Sequence, residues 1–184
     1  MKIKKRLILI LALTACFSTS KTFAQFSGGL ELGLPMGNFS DMASTGFGVT
    51  AKYEANISDK LNWNAGIGYL SFSGKTFNIF NVSIPFGNTT NIPISGGIKY
   101  YFSEVNKGFY GAMDLSFNFL STYVYTYNNG NGGGYNLSSV SQTNFGLNPG
   151  IGYRTGNFDF TGRFNMVGDF SYVGLRAAYV FGGK

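Results

Sequence analysis

The residues of this chain that could carry chemistry are charged side chains placed within segments of alternating apolar and polar residues. They are Glu31, Lys52, Glu54, Lys99, Asp114, Arg154, Asp159, Arg163 and Arg176. Carboxylates at such positions could act as general acids or bases. The chain contains no histidine, however, so a Ser-His or His-Asp mechanism has no general base. We therefore predict that no residue is catalytic and that the protein is not an enzyme.

Metal and cofactor sites also lack support in the sequence. The one cysteine, Cys16, stands in the N-terminal segment, which excludes a Cys/His metal site in the rest of the chain. The glycine-containing stretches NAGIGY (64–69) and NPGIGY (148–153) do not open helices, as a phosphate-binding loop would. We predict no metal and no cofactor.

The elements that hold the charged residues are β-strands. In GFGVTAKYEANI (46–57) every second residue is apolar, which indicates a strand with one apolar and one polar face. No segment shows helical periodicity, and none beyond the N-terminus is long and apolar enough for a membrane helix. Eight such strands are predicted, at about 26–35, 46–57, 60–73, 92–103, 108–125, 140–154, 157–167 and 171–182.

The connections between these strands alternate in length. Short turns at 58–59, 104–107 and 155–156 alternate with long connections at 36–45, 74–91 and 126–139, as in outer-membrane barrels with short periplasmic turns. All nine charged residues fall on the polar faces. A charge facing lipid costs about 2–4 kcal/mol near the bilayer midplane, so the apolar faces are expected to point outward. The fold class is all-β, an eight-stranded antiparallel up-and-down transmembrane β-barrel.

Aromatic residues cluster near the ends of the predicted strands. Rings in this arrangement form girdles at the two membrane interfaces. The alternative is that aromatic residues are simply good strand formers. The predicted girdle at the periplasmic ends consists of Trp63, Tyr100, Phe102, Phe109, Tyr153, Phe158, Tyr179 and Phe181.

The N-terminal segment has the features of a cleavable signal peptide. MKIKKR is a positive start, Leu7–Leu13 is a short apolar run, and TFA (22–24) offers a small-residue cleavage site. We expect residues 1–24 to be the signal peptide and 25–184 the outer-membrane barrel domain. Five of the fourteen Lys and Arg residues lie in 1–24, so the remainder is almost neutral and gives no indication of nucleic-acid binding. Alternatively, LTAC (13–16) is a lipoprotein processing box with Cys16 acylated.

The sequence resembles the small OmpA-like (porin-family) outer-membrane β-barrel proteins of Gram-negative bacteria. The resemblance covers essentially all of 26–182 and is carried by GGLELGLPMGNFSD, GFGVTAKYEANISDKLNWNAGIGYLSFSGK, IPISGGIKYYF and YVGLRAAYVF. It implies an integral protein of the outer membrane, surrounded by lipid. It also implies that the barrel-assembly machinery reads the last strand, although the chain continues past Phe181.

Two functions fit such a barrel. One is a non-enzymatic structural or surface-interaction protein with a largely plugged polar lumen, monomeric, with an unknown partner at its long loops. The other is a small transport barrel for small or hydrophobic solutes, since the lumen glycines would leave room for water. For the first function we predict an interlocked lumen network of Glu31, Lys52, Glu54, Lys99, Asp114, Asp159, Arg163 and Arg176. Glu31 would serve Arg176 and Arg163 within it, while Asp114 or Glu54 offsets Lys52 and Lys99.

Overall fold

A computed structural model of the protein describes residues 24–79, 82–128 and 134–182. The predicted signal peptide therefore lies outside the described residues except for Ala24. The strands are β1 Gln25–Pro35, β2 Ala43–Asn56, β3 Leu61–Gly74, β4 Thr76–Ile79, β5 Val82–Tyr101, β6 Gly108–Asn128, β7 Gly134–Thr155, β8 Phe158–Asn165 and β9 Tyr172–Phe181. A short helix, α1, spans Asn38–Met42, and a 3-10 turn spans Gly168–Phe170.

Eight of these strands close into an antiparallel barrel. The order around the wall is β1, β2, β3, β5, β6, β7, β8 and β9, and β9 pairs with β1 to complete the circle. The short strand β4 pairs with β5 and extends the β3–β5 connection into a hairpin. This architecture confirms the prediction of an all-β, eight-stranded up-and-down barrel.

Successive side chains along the strands point alternately to the outside and the inside of the wall. Leu30 leaves 70% of its surface exposed, whereas the next residue, Glu31, leaves 3%. Exposed Val49, Ile67 and Leu115 repeat this pattern on other strands. An outer surface made of large apolar residues is unlike that of a soluble protein. The barrel interior, here called the lumen, contains all nine charged residues predicted for the polar faces.

The two ends of the barrel differ. At one end, here called the turn end, short connections follow β2, β5 and β7. Two of them need a backbone with positive φ, supplied by Asn106 (63°) and Gly156 (55°). The opposite end, here called the loop end, carries α1, the β3–β5 hairpin, the β6–β7 hairpin and the 3-10 turn.

Two of the predicted long loops are largely strand. β5 begins at Val82 rather than near residue 92, and β6 and β7 remain paired as far as Asn128 and Gly134. The Asn and Gly residues of these segments favoured a loop prediction. Continuous hairpin pairing, together with the strand-forming Thr, Tyr and Val residues, outweighs the low strand propensity of Asn and Gly. The short strand β4, Thr76–Ile79, also lies within the connection predicted at 74–91.

Within the described residues, the helical content is small and confined to the loop end. α1 is five residues long and falls in the connection predicted at 36–45. Among the residues that the structure describes, no helix has the length and hydropathy needed to cross a bilayer.

Candidate functional site

The charged residues near the turn end form one group, here called the lower cluster: Glu54, Lys99, Arg154 and Asp159. Lys99 donates to Glu54 and also to Asp159, at 2.6 Å. Its ammonium group lies 4.6 Å from the centre of the Tyr110 ring, and the Tyr110 hydroxyl donates to Asp159. All these side chains are essentially inaccessible to solvent. Lys99 therefore receives two carboxylates and one ring face, which compensate the cost of burying its charge.

A second group, here called the upper cluster, contains Glu31, Lys52, Asp114 and Arg163. Lys52 donates to Asp114 at 2.8 Å, and Arg163 donates to Glu31 at 2.8 Å. The Arg163 guanidinium also lies 3.5 Å from Asp114, which links the two pairs. Asn64 donates to the other Asp114 oxygen at 2.9 Å. Both oxygens of this fully buried carboxylate are thus occupied.

The predicted lumen network is therefore split into two clusters. Lys99 lies in the lower cluster, whereas Lys52 and Asp114 lie in the upper cluster. Lys52 and Lys99 each have a carboxylate, as expected, and Glu31 binds Arg163.

Arg176 differs from the expectation that Glu31 serves it. The two residues are direct cross-strand partners, but Arg176 donates to Thr50 at 2.7 Å and to Ser27 at 2.9 Å. Its long side chain leans along the strand toward the turn end, where these hydroxyls lie. Glu31 instead reaches across to Arg163, and the described residues show no Glu31–Arg176 ion pair.

Glycines make the space that the upper cluster occupies. Arg163 stands between Gly150 and Gly174 in its two ladders. A Cβ at Gly150 would lie 2.7 Å from the Arg163 Cγ, and one at Gly174 would lie 2.6 Å from Glu31 Oε1. These lumen glycines therefore accommodate neighbouring side chains.

Asn106, which the sequence reasoning missed, closes the turn end. The β5–β6 connection folds inward, so that Asn106 accepts hydrogen bonds from Asn62 at 2.8 Å and from Arg154 at 3.1 Å. Its own amide donates to Asn56 at 3.3 Å. The available signal was an Asn in a tight turn, where a positive φ is tolerated. Arg154 also approaches Glu54 at 3.8 Å, which joins this residue to the lower cluster.

The loop end is closed by apolar residues, here called the loop-end cluster: Phe39, Ala43, Leu70, Phe72, Leu120, Val167 and Tyr172, with Phe170 packed against them. Phe39 of α1 is 1% exposed, and its ring centre lies 4.9 Å from that of Phe72 and 5.2 Å from that of Phe170. The prediction of a polar lumen is thus wrong for this end. Strand periodicity places Leu70 and Phe72 inward, but nothing in the sequence brings Phe39 back over them.

Polar side chains fill the space between the charged clusters and the loop-end cluster. Asn118 donates to Ser116 at 2.8 Å, Asn148 donates to Ser116 at 2.9 Å, and Asn91 donates to Asn118 at 3.1 Å. A cavity bordered by Lys52, Asn148, Arg163 and Tyr172, among others, has a volume of about 10 Å³, enough for about one water molecule.

All eight predicted girdle aromatics lie on the outer surface near the turn end. The Phe109 and Tyr153 ring centres are 4.7 Å apart, and those of Phe158 and Tyr179 are 5.6 Å apart. The sequence reasoning did not include Phe26 and Tyr53, which continue this band beside Trp63. Their ring centres lie 5.0 Å apart, and Tyr53 lies 5.3 Å from Trp63.

The wall rises much higher on one side of the barrel than on the other. β8 ends at Asn165, and its pairing with β7 ends at Gly150, beyond which Leu147 and Met166 form an isolated bridge. The part that rises above the rest, here called the projecting sheet, consists of β4, 82–90 of β5, 121–128 of β6 and 134–143 of β7.

Comparison with solved structures identifies the type of barrel. The structure of Ail, the attachment invasion locus protein of Yersinia pestis, in complex with the heparin analogue sucrose octasulfate, aligns with a TM-score of 0.55 at 13% identity. The alignment covers 86% of this chain and 97% of Ail. The chain has the fold of an outer-membrane β-barrel.

Two further barrels of this type are similar at lower scores. Neisserial surface protein A aligns with a TM-score of 0.49 at 15% identity, covering 88% of this chain and 97% of that protein. The N-terminal β-barrel domain of Pseudomonas aeruginosa OprF aligns with 0.43 at 11%, covering 88% and 98%. No protein-family model and no curated protein matches the sequence.

Proposed function

We propose that this barrel is an integral outer-membrane protein that neither catalyses nor conducts, and that it acts through its projecting sheet. It would be exported by a signal peptide spanning 1–24 and inserted by the barrel-assembly machinery, which would read β9, and it would work as a monomer surrounded by lipid. The apolar outer surface and the girdle aromatics support this location.

The observation that supports the non-conducting role is the series of side chains found along the lumen from the turn end to the loop end. Asn106 and Arg154 occupy the turn end, the charged clusters and the Asn/Ser layer occupy the middle, and Phe39 covers the loop end. An eight-stranded barrel has an interior just wide enough for side chains. The competing transport function relied on empty space beside lumen glycines. At Gly97, however, a Cβ would lie 2.3 Å from Oδ1 of the Asp114 side chain, which occupies the space beside this glycine.

Planar-bilayer recording of the refolded protein tests this proposal. The wild type should show no steady ion-conducting openings. Replacing Phe39 and Phe72 with Ala should increase brief openings, because it removes the rings at the loop end. Replacement of the outward-facing Phe117 with Ala serves as the control and should not change the recording. Steady openings in the wild type would refute a filled lumen and favour transport.

The projecting sheet supports a role in surface interaction because it is the part of the wall that rises farthest from the turn end and its girdle aromatics. To test it, residues 124–138 are replaced by Asn-Gly, which shortens the β6–β7 hairpin while keeping the Tyr123–Ser139 pair. The shortened barrel should still migrate differently in unheated and heated SDS samples. Cells that display it should lose the attachment to protein-coated surfaces that the full hairpin confers. Equal attachment by both forms would refute an active projecting sheet.

A further inference from the structure

The lumen contains more positive than negative side chains. Within the described residues, its nine charged groups are five cations and four carboxylates. Three of the cations donate a hydrogen bond to a carboxylate: Lys52, Lys99 and Arg163. The other two, Arg154 and Arg176, hydrogen-bond only neutral groups of the described chain. A buried cation without a hydrogen-bonded counter-ion is costly, so one further negative charge would stabilise this interior.

Arg154 is the one of these two arginines that borders open space at the turn end. A cavity of about 840 Å³, here called the turn-end cavity, lies between the β5–β6 and β7–β8 connections. Arg154 and Gln25 are among the residues that border it, and Arg176 is not. Because Arg154 is only 1% exposed, it borders the cavity from within the lumen. The volume is that of a typical site for a small molecule.

The Arg154 guanidinium has one side left for a carboxylate. Its Nη1 donates to Asn106 at 3.1 Å and lies 3.8 Å from Glu54, beyond hydrogen-bond distance. Glu54 already accepts from Lys99. The Arg154 Nε is buried and has no hydrogen-bond partner among the described residues. The N–H groups of Nε and Nη2 form a planar fork that matches the two oxygens of a carboxylate. That fork lies on the side away from Nη1.

Gln25 sets a second requirement for a ligand. Its side chain is 4% exposed, and its Oε1 is buried without a hydrogen-bond partner in the described chain. A carbonyl oxygen needs an N–H or O–H donor. Two further charged residues border the turn-end cavity, Glu104 and Lys107, and their opposite charges cancel. Arg154 therefore supplies the excess positive charge, and Gln25 supplies an acceptor that needs a donor.

We propose that the turn-end cavity binds a small carboxylate that also carries an amide N–H, as the carboxyl end of a short peptide does. The carboxylate binds Nε and Nη2 of Arg154, and the N–H donates to Gln25 Oε1. A carboxylate carries the single negative charge that the lumen needs, whereas a phosphate monoester carries about −1.5 to −2. This site lies at the opposite end from the projecting sheet and goes beyond the proposed surface-interaction role.

NMR of the ¹⁵N-labelled full chain, refolded in lipid nanodiscs, tests the proposal with N-acetylglycine as the probe. The probe has a carboxylate and one amide N–H. It should shift the Arg154 Nε–H resonance and the backbone amide resonance of Asn106 in a saturable way. We expect a dissociation constant of about 1 mM, since a small ligand makes few contacts. The methyl ester of N-acetylglycine keeps the N–H and lacks the charge, and it should bind at least about tenfold more weakly.

Three variants separate the Arg154 fork from the general charge of the cavity, with the Asn106 amide as the readout. Arg154→Lys keeps the positive charge and loses the planar fork, so it should weaken binding at least about tenfold. Gln25→Glu places a carboxylate of the chain itself beside Arg154 and should weaken binding by a similar factor. Lys107→Gln is the matched control and should change the affinity less than about threefold. All three should keep the heat-dependent migration of a folded barrel, and Gln25→Glu serves alone if Arg154→Lys does not fold.

Four outcomes would overturn the inference. Equal binding of the methyl ester would show that the carboxylate is not recognised. Tighter binding of inorganic phosphate than of N-acetylglycine would assign the cavity to phosphate. An Arg154 Nε–H resonance that no anion shifts would mean that the fork is not accessible. Equal losses in Lys107→Gln and Arg154→Lys would indicate a general positive potential at the turn end. None of these results affects the cell-attachment test of the projecting sheet, so the two proposals fail independently.

Discussion

Replacing Asp114 with Asn should destabilise the barrel by about 3 kcal/mol. Breaking a buried ion pair from one side typically costs about 3–5 kcal/mol, because the partner remains charged and buried. Asp114 is fully buried and serves Lys52 at 2.8 Å and Arg163 at 3.5 Å. Arg163 keeps Glu31 at 2.8 Å. Only Lys52 loses its counter-ion, which places the expected cost at the lower end of that range.

The assay is equilibrium unfolding in urea from lipid vesicles, followed by the fluorescence of Trp63, the one tryptophan in the chain. Trp63 lies in the girdle, so its emission reports whether the barrel is inserted. Asp59→Asn is the matched control, since it also removes one negative charge but lies in an exposed turn. It should change the free energy of unfolding by less than about 0.5 kcal/mol.

A second substitution tests whether the cost arises from an orphaned cation. After Asp114→Asn, the ammonium group of Lys52 has neutral acceptors alone, such as Asn64 Oδ1 at 3.4 Å. Adding Lys52→Met removes the unpaired ammonium group and should restore more than half of the lost stability. The reasoning is refuted if Asp114→Asn costs no more than Asp59→Asn, or if the two lumen substitutions add as independent losses. Either result would mean that water screens the lumen charges separately.

Three further predictions concern the rest of the lumen. Phe39→Ala should lower the free energy of unfolding by about 3 kcal/mol, because it leaves a cavity in the loop-end cluster. Met36→Ala, on the exposed part of the same loop, should cost under about 0.5 kcal/mol. Equal urea midpoints for the two variants would contradict a packed loop-end cluster. Gly152→Ala should impair folding, because its Cβ would lie 2.2 Å from the Tyr110 Cζ. Gly111→Ala should refold normally, because its Cβ would lie 3.8 Å from the nearest neighbouring atom, Phe102 Cζ. Similar folded yields of the two variants on SDS gels would show that the Tyr110 side chain can move. Glu31→Gln should lower the free energy of unfolding by about 1–3 kcal/mol. The loss should be smaller than that of Asp114→Asn, because Arg163 still has Asp114 as a counter-ion. A larger loss for Glu31→Gln than for Asp114→Asn in urea unfolding would contradict this ranking.

The control chosen for the lumen charges depends on the structure. Lys75, which appears in the sequence as a charge in a long connection, donates to the Ser40 carbonyl oxygen at 2.6 Å, and its own N–H donates to Met42 at 2.9 Å. It therefore holds α1 in place over the lumen. A Lys75 substitution would disturb the loop-end cluster, which is why Asp59 serves as the control.

The strand faces could be predicted because a single physical rule decides them. A charge facing lipid is costly, so Glu31, Lys52 and Arg176 had to point inward once the strands were recognised, and a two-residue period then orients every neighbour. Which charged side chains contact each other in the lumen could not be predicted, because a long side chain reaches past several residues of its neighbouring strands. Arg176 leans to Ser27 and Thr50, and Arg163 crosses between two glycines to Glu31.

The ends of the long strands could not be predicted for a different reason. The Asn and Gly residues between 126 and 139 have low strand propensity, but each described residue of β7 in this region is paired with one of β6, and the pairing begins within the barrel wall. A hairpin that is already nucleated extends without a further loop-closure cost, because each added pair lies next to one that has already formed. Local sequence carries no record of that pairing.

The uneven height of the wall explains both the loop-end cluster and the unpaired edge of the upper part of β7. β8 has eight residues, whereas its neighbour β7 has twenty-two. Where β8 stops, the lumen would open sideways, and α1 with the 3-10 turn fills that gap by placing Phe39 against Phe72 and Phe170 against Phe39. The same early end of β8 leaves the upper part of β7 without a partner in the described chain. Lengthening β8 and β9 would therefore pair the upper part of β7 and also displace α1 and the 3-10 turn. The unpaired edge of β7 and the loop-end cluster are thus expected to change together.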